Sequence, residues 1–223
     1  MRRCRLFRVL FLLLVACLTG KSSPALGATI FESGSLGPTG IPRGVVPGAN
    51  VSSTVFNGVR FQLTQPVATS QIGGHFVGSP GTTDTFFGAI VALSNENDFP
   101  DSGNLSTDDV LGSTVISFPE PSAEVFGNLD LSLNPGWYAL VFGSGLFGAS
   151  GDGAMPLNNP DIGTPSYIGF QPGAGWGNLI NPIFRNYRFV VQGSIVPEPS
   201  AISITLSTWL LFCFRGFFSR QRY

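Results

Sequence analysis

The chain has 223 residues, a formal charge of −1, and only 11% charged residues against 43% hydrophobic ones. The near-neutral balance hides a split: residues 29–195 hold four arginines, no lysine and twelve acids, a formal −8. That argues against nucleic acid or anionic lipid as a partner of the middle of the chain. Cys4, Cys17 and Cys213 all lie outside it, which excludes a disulfide framework and a thiolate metal site there.

The N-terminus opens with a basic stretch, Met1 to Arg8, followed by an apolar run from Val9 to Leu18 and the small-residue site Ala25-Leu26-Gly27. This order reads as a secretory signal peptide over residues 1–27, cut after Gly27 or Ala28. A competing reading is carried by Leu14-Val15-Ala16-Cys17, which resembles a lipoprotein box and would make Cys17 a lipidated N-terminus.

Residues 28–195 are rich in Gly, Pro, Asn, Ser and Phe, an all-β composition long enough for one domain with its own core. Thr29 to Glu32 begins as a strand, and Ser33 to Asn50 reads as a Gly/Pro loop. Asn57-Gly58 between apolar runs predicts a type I′ hairpin turn, after which Val59, Phe61 and Leu63 alternate with Arg60, Gln62 and Thr64. Thr69 to Val77 predicts a strand, with Gly73-Gly74 as a bulge. Phe86 to Leu93 is a continuous apolar run, expected as a fully buried central strand. Further strands are predicted at Leu111 to Phe118, at Asn128 to Leu133 with Leu129, Leu131 and Leu133 inward, at Gly136 to Phe142, at Tyr167 to Phe170 and at Arg185 to Gly193. Nine or ten short strands without an amphipathic helix predict a two-sheet β-sandwich of jelly-roll type.

Candidate chemistry in this body is sparse. His75 is the only histidine, so a Ser-His-Asp set would rest on it alone, and its place in an alternating strand reads as structural or as a surface position. The loop from Asn95 to Asp109 gathers Glu96, Asp98, Asp101, Asp108 and Asp109. These oxygens could serve Ca²⁺, although the spacing matches no known calcium loop, and a solvated loop with Asx turns is the plainer reading. The same carboxylates could form a glycosidase pair only if the fold set them across a cleft. Gly143 to Gly153 has the glycines of a phosphate loop but no lysine and no following helix, so it reads as a loop between strands. Trp176, in Gly173-Ala174-Gly175-Trp176-Gly177 with Tyr167 and Phe170 near in sequence, is a candidate for stacking on a sugar ring. No catalytic residue and no cofactor is assigned.

The last 28 residues organise the rest. Pro197 and Pro199 hold Glu198 in an extended, exposed frame, and Ser200 stands where a helix N-cap belongs. Ala201 to Phe214 carries no charge; Arg215 interrupts it, and Arg220 and Arg222 close the chain. As a helix those fourteen residues cover about 21 Å, and about 27 Å if Arg215 snorkels and Phe217-Phe218 stay in the membrane, against a bilayer core of about 30 Å. A plain C-terminal anchor and a buried core helix are the alternatives.

The order of Val196-Pro197-Glu198-Pro199, an apolar helix over about 201–218 and a basic end resembles the PEP-CTERM sorting signal of exported bacterial proteins. The arginines are more spread out here, and the helix is richer in hydroxyls, than in that pattern. The resemblance implies processing at Pro197, Glu198 and Pro199 by an exosortase-like membrane protease, with Arg215, Arg220 and Arg222 as the basic stop. It also implies passage through the secretion translocon, an inner-membrane intermediate, and delivery to the cell envelope or extracellular matrix. Arginines at both ends staying cytoplasmic would place the body between them outside. The body weakly resembles the choice-of-anchor type of extracellular β domain, through Thr29 to Gly34, Gly58 to Phe61 and Pro135 to Val141. The expected role is structural or adhesive and non-catalytic; the alternative is an exopolysaccharide-binding module, assisted by calcium at Asp98, Asp101, Asp108 and Asp109.

Overall fold

The computed structural model describes residues 27–180 and 185–197. The predicted signal peptide before Gly27, Glu198 and Pro199 of the sorting motif, and the apolar run with Arg215, Arg220 and Arg222 lie outside the described residues.

Thirteen strands follow in order: β1 (Ala28–Glu32), β2 (Gly48–Val51), β3 (Phe56–Leu63), β4 (Val67–Gly78), β5 (Thr85–Leu93), β6 (Val110–Ser117) and β7 (Ala123–Asn128). After them come β8 (Ser132–Leu133), β9 (Gly136–Gly143), β10 (Gly153–Pro156), β11 (Ser166–Gln171), β12 (Gly175–Asn178) and β13 (Phe189–Ile195). They form two antiparallel sheets. One runs β1-β13-β4-β10-β2, with β7 and β8 also pairing β4; the other runs β12-β11-β3-β9-β5-β6. No helix among the described residues is long and apolar enough to cross a membrane.

Period-2 alternation decides which side chains meet between the sheets. Ile72 and Phe76 of β4 and Phe189 and Val191 of β13 face Phe61 of β3, Phe86 and Ile90 of β5, and Leu140 and Phe142 of β9. Aromatic contacts tie the layers: the Phe76 ring lies 4.1 Å from Phe86 and 4.9 Å from Phe142, edge-on to the latter. Each such fully buried ring contributes about 1.5–3 kcal/mol through burial.

The second sheet is buried on both faces. Its outer side carries Phe56, Phe87, Ala89, Val91, Ala139, Val141 and Ile168, covered by Leu105 and Phe99 from one loop and Leu146 and Ala149 from another. This double cover is why Phe86 to Leu93 and Gly136 to Phe142 read as continuous apolar runs rather than alternating ones. β5 is nevertheless not central: it lies next to the edge, with only β6 beyond it.

Four local expectations are corrected. Asn57-Gly58 is no turn but lies inside β3, paired with β9 and β11 on its two sides. A Cβ on Gly58 would press on Ile168 and on the Leu140 carbonyl at 3.1 Å, so this glycine serves close packing; the real corner is Ser52 to Val55, where Ser52 N donates to Val55 O. Gly73-Gly74 forms no bulge either. Both pair in register with β7 and β13 because a side chain there would strike the Val125 or Arg188 carbonyl; the irregularity in that ladder falls at Gln192/Gly193. The strand predicted over Asn128 to Leu133 is split between the end of β7 and the two-residue β8, although Leu129 and Leu133 are buried as expected. The loop predicted to run to Asn50 yields to β2 at Gly48, whose side of the sheet is set by β10.

Candidate functional site: a cleft between the sheet edges

The hairpin β11–β12 turns through Gly173 and Gly175, at φ +84° and +76°, conformations that glycine adopts without strain. Across its ladder Gly169 stands opposite Gly177 and Phe170 opposite Trp176. One face of the hairpin is therefore aromatic and the other nearly bare.

The aromatic face closes onto the outer cluster. Phe56 lies 5.3 Å from Phe170 and 6.4 Å from Trp176, and Trp176 Nε1 donates to Ser102 O at 3.1 Å. Trp176 is half-buried, with its one polar atom committed to the loop.

The bare face opens toward β2, the edge of the opposite sheet. Between them lies a cleft of about 550 Å³, walled by Val55, Phe56 and Leu179 and rimmed by Asn50, Asn57, Gln171 and Asn178. A Cβ built on Gly177 would meet nothing within 4 Å, so the missing side chain leaves space that packing does not require. No charged side chain lines the cleft among the described residues. Asn57 donates from Nδ2 to Asn50 O at 2.7 Å, and Asn178 Oδ1 accepts from Arg60 Nη1 at 2.7 Å, so two of the amides are held in fixed orientations. The size and the mixture of apolar wall and oriented amides fit a small uncharged polar ligand.

The acidic loop is a structural lid. Asp98 accepts from Ser94 N at 2.7 Å and from Phe99 N at 2.9 Å, and these bonds hold its carboxyl below the usual carboxylate range. Asp109 Oδ2 accepts from Asp101 N at 2.8 Å. Asp98, Asp101, Asp108 and Asp109 do not converge: among the described residues no group of three or more His, Cys, Asp or Glu could hold a metal ion. The loop is fastened by Arg60, only 4% exposed on the outer side of β3, which donates to Asp98 O, Asn97 O and Ser166 Oγ and lies 4.3 Å from the centre of the Phe99 ring. Burial lowers the Arg60 pKa.

A second polar network lies on the outer side of the other sheet. Arg188 donates from Nε to Glu124 at 2.5 Å and from Nη1 to Glu32 at 2.8 Å and to Gly34 O. Despite its burial, bonds to the two carboxylates raise its pKa above the ordinary value. His75, fully buried, is paired with Glu124 across β4 and β7, and its Nδ1 lies 2.8 Å from Asn159 Oδ1. The Asn159 amide nitrogen donates to Pro156 O and Asn186 O, so its oxygen faces the histidine and Nδ1 carries the proton. His75 Nε2 is buried without a partner, and burial lowers the histidine pKa.

Of the residues singled out in sequence, Trp176 belongs to the cleft's rim, His75 is locked in a structural network, and the acids stay with their own loop. Ala28, beside the predicted cleavage at Gly27, is the first residue of β1 and pairs with Gly193. At the other end Val196 N donates to Pro66 O at 2.9 Å, which ties the chain to the body up to the residue before the exposed Pro197. Sequence reasoning missed Arg60, Arg188, Asn57 and the glycine pair Gly169/Gly177. The arginines had a signal: two of only four cations in an acidic body, each between apolar strand residues. The cleft had none, because the opposing edge comes from β2, about 120 residues away in the chain. Compared with family models, curated proteins and solved structures, the chain finds no match.

Proposed function

We propose that the chain is an exported bacterial surface or extracellular-matrix protein with a structural or adhesive, non-catalytic role, sorted through its C-terminal Pro197-Glu198-Pro199 signal. A signal peptide over residues 1–27 and a single hydrophobic helix over about 201–218 flank the body in this reading. An exosortase-like protease and the secretion translocon are its partners in transit. The body is a jelly-roll-type sandwich, on the support that successive strands such as β3, β4 and β5 pass from one sheet to the other and back.

The observation that carries the reading is where the reactive side chains are spent. Arg60, Arg188, His75 and Asp98 are all held in bonds that brace the outer faces of the sheets, and the carboxylates left exposed, among them Glu96, Asp108, Glu120 and Asp130, are not gathered with a histidine or cysteine. Such a body is suited to contact rather than turnover. Cell fractionation tests it: the folded body should be recovered outside the cytoplasmic membrane, and recovery from the cytoplasm would contradict the proposal.

The edge cleft favours a second reading, a module for neutral exopolysaccharide, with Trp176 and Phe56 among the lining residues and oriented amides at the rim. A glycan array on the full chain tests it; no retention of any neutral glycan would retire it.

A further inference from the structure

We propose that β6 is a self-association edge, at which a second copy of this chain adds its own β6 antiparallel about a two-fold axis through Val115. The inference names the partner within the structural reading and rests on that reading for its biological setting.

The edge is open by geometry. Phe118 N donates to Asp84 O, which fixes Phe118, Ile116 and Thr114 as the hydrogen-bonded positions of the ladder with β5. The alternate residues Ser113, Val115 and Ser117 therefore point their N–H and C=O groups away from β5. Thr85 agrees from the other strand: it stands opposite Ser117, and its N–H donates to Ser150 O, away from β6. No backbone partner meets Ser113, Val115 or Ser117 on that outer side among the described residues, and Val115 is 43% exposed.

This edge lacks the features that keep sheets from joining. Folded proteins blunt edge strands with charge, proline, a short length or a covering segment. β12 and β2 are four residues each, Pro47 precedes β2, and β1 ends in Glu32. β6 is eight residues long, Val-Leu-Gly-Ser-Thr-Val-Ile-Ser, with neither charge nor proline from Val110 to Phe118. In a body of formal charge −8 it is the longest edge strand along which two copies approach without a carboxylate on the strand itself.

Pairing about Val115 sets Val115 opposite its mate and Ser113 opposite Ser117, with about six main-chain hydrogen bonds, two for each bonded pair. On the outer face it brings together the two exposed Val115 side chains. One strand edge covers less than the about 1,200 Å² of a standard interface, so the association is weak, with Kd of roughly 10 µM to 1 mM. Each body carries a formal charge of −8, so screening by salt strengthens the pairing.

The test is sedimentation equilibrium of the purified full chain in detergent across a concentration series, at low and high salt, for wild type, Val115→Pro and Val115→Lys. Proline at 115 removes an N–H that β5 does not use, so the fold persists, and lysine at a half-exposed edge position is tolerated. Wild type should pass from monomer to dimer, more readily at high salt, and both variants should weaken this about tenfold or more with an unchanged circular dichroism melt. A wild type that stays monomeric, or variants that associate as well as wild type, would overturn the proposal. Self-association is read on purified protein and delivery outside the membrane is read in cells, so failure of one is distinguishable from failure of the other.

Discussion

Arg60 donates from Nε to the main-chain oxygen of Asp98 across 2.6 Å, and through that bond the acidic loop is held onto the apolar outer face of its sheet. The cation is satisfied chiefly by neutral acceptors: two loop carbonyls, Ser166 and Asn178. Arg60→Ala leaves those buried acceptors without a donor and loosens the cover over Leu105 and Phe99. The expected cost is about 3 kcal/mol, or roughly 6–12 °C in Tm. Arg60→Lys should recover less than half of it, because a single ammonium cannot span four acceptors set around a planar fork. Thermal melts of the three proteins check this.

His75 gives the fold an acid-sensitive term. Burial favours the neutral imidazole, so the folded-state pKa lies below the unfolded value of about 6.5. The unfolded chain then binds the extra proton, and stability falls as pH drops below about 6.5, by at most about 1.4 kcal/mol per pH unit from this one group. Above that pH the contribution is fully present. Denaturant titrations from pH 7.5 to 5 should show this slope in wild type and lose it in His75→Leu.

Arg188 should be the costliest single arginine to remove. Arg188→Met leaves Glu32 and Glu124 facing each other beside a buried histidine, an expected loss of about 3–5 kcal/mol. Restoring charge balance with Glu124→Gln in the same chain should recover part of it, and the non-additivity in a double-mutant cycle measures the coupling.

Gly177 separates the cleft from the fold. With nothing within 4 Å of its Cβ position, Gly177→Val fills the cleft from a strand position where valine is favourable, so Tm should hold or rise slightly. Retention on any neutral glycan that wild type binds should fall at least tenfold. Trp176→Ala should differ in stability, lowering Tm through lost packing on Phe56 and Phe170 and the lost bond to Ser102 while also reducing glycan retention.

The all-β class and most strands were legible because alternation and apolar runs report directly on burial. Val59, Phe61 and Leu63 show the first, Phe86 to Leu93 the second. The misread places are glycines. Asn57-Gly58 has the composition of a tight turn, and Gly73-Gly74 that of a bulge, but in both the missing Cβ makes room for a neighbouring strand that sequence alone does not reveal. The candidate site was legible only at Trp176. Its cleft is made by two sheet edges distant in sequence, and Gly177 matters by what it lacks.

The central claim, that the folded body is cargo for the C-terminal signal, is tested most directly by intact mass and fractionation of the protein from its native cell, wild type against Glu198→Ala. The account predicts wild type outside the membrane, at the mass of a chain ending near Pro199, and the variant retained in the membrane with its tail. Both proteins in the membrane at the mass of an uncut tail would contradict it and leave a plain anchored surface protein.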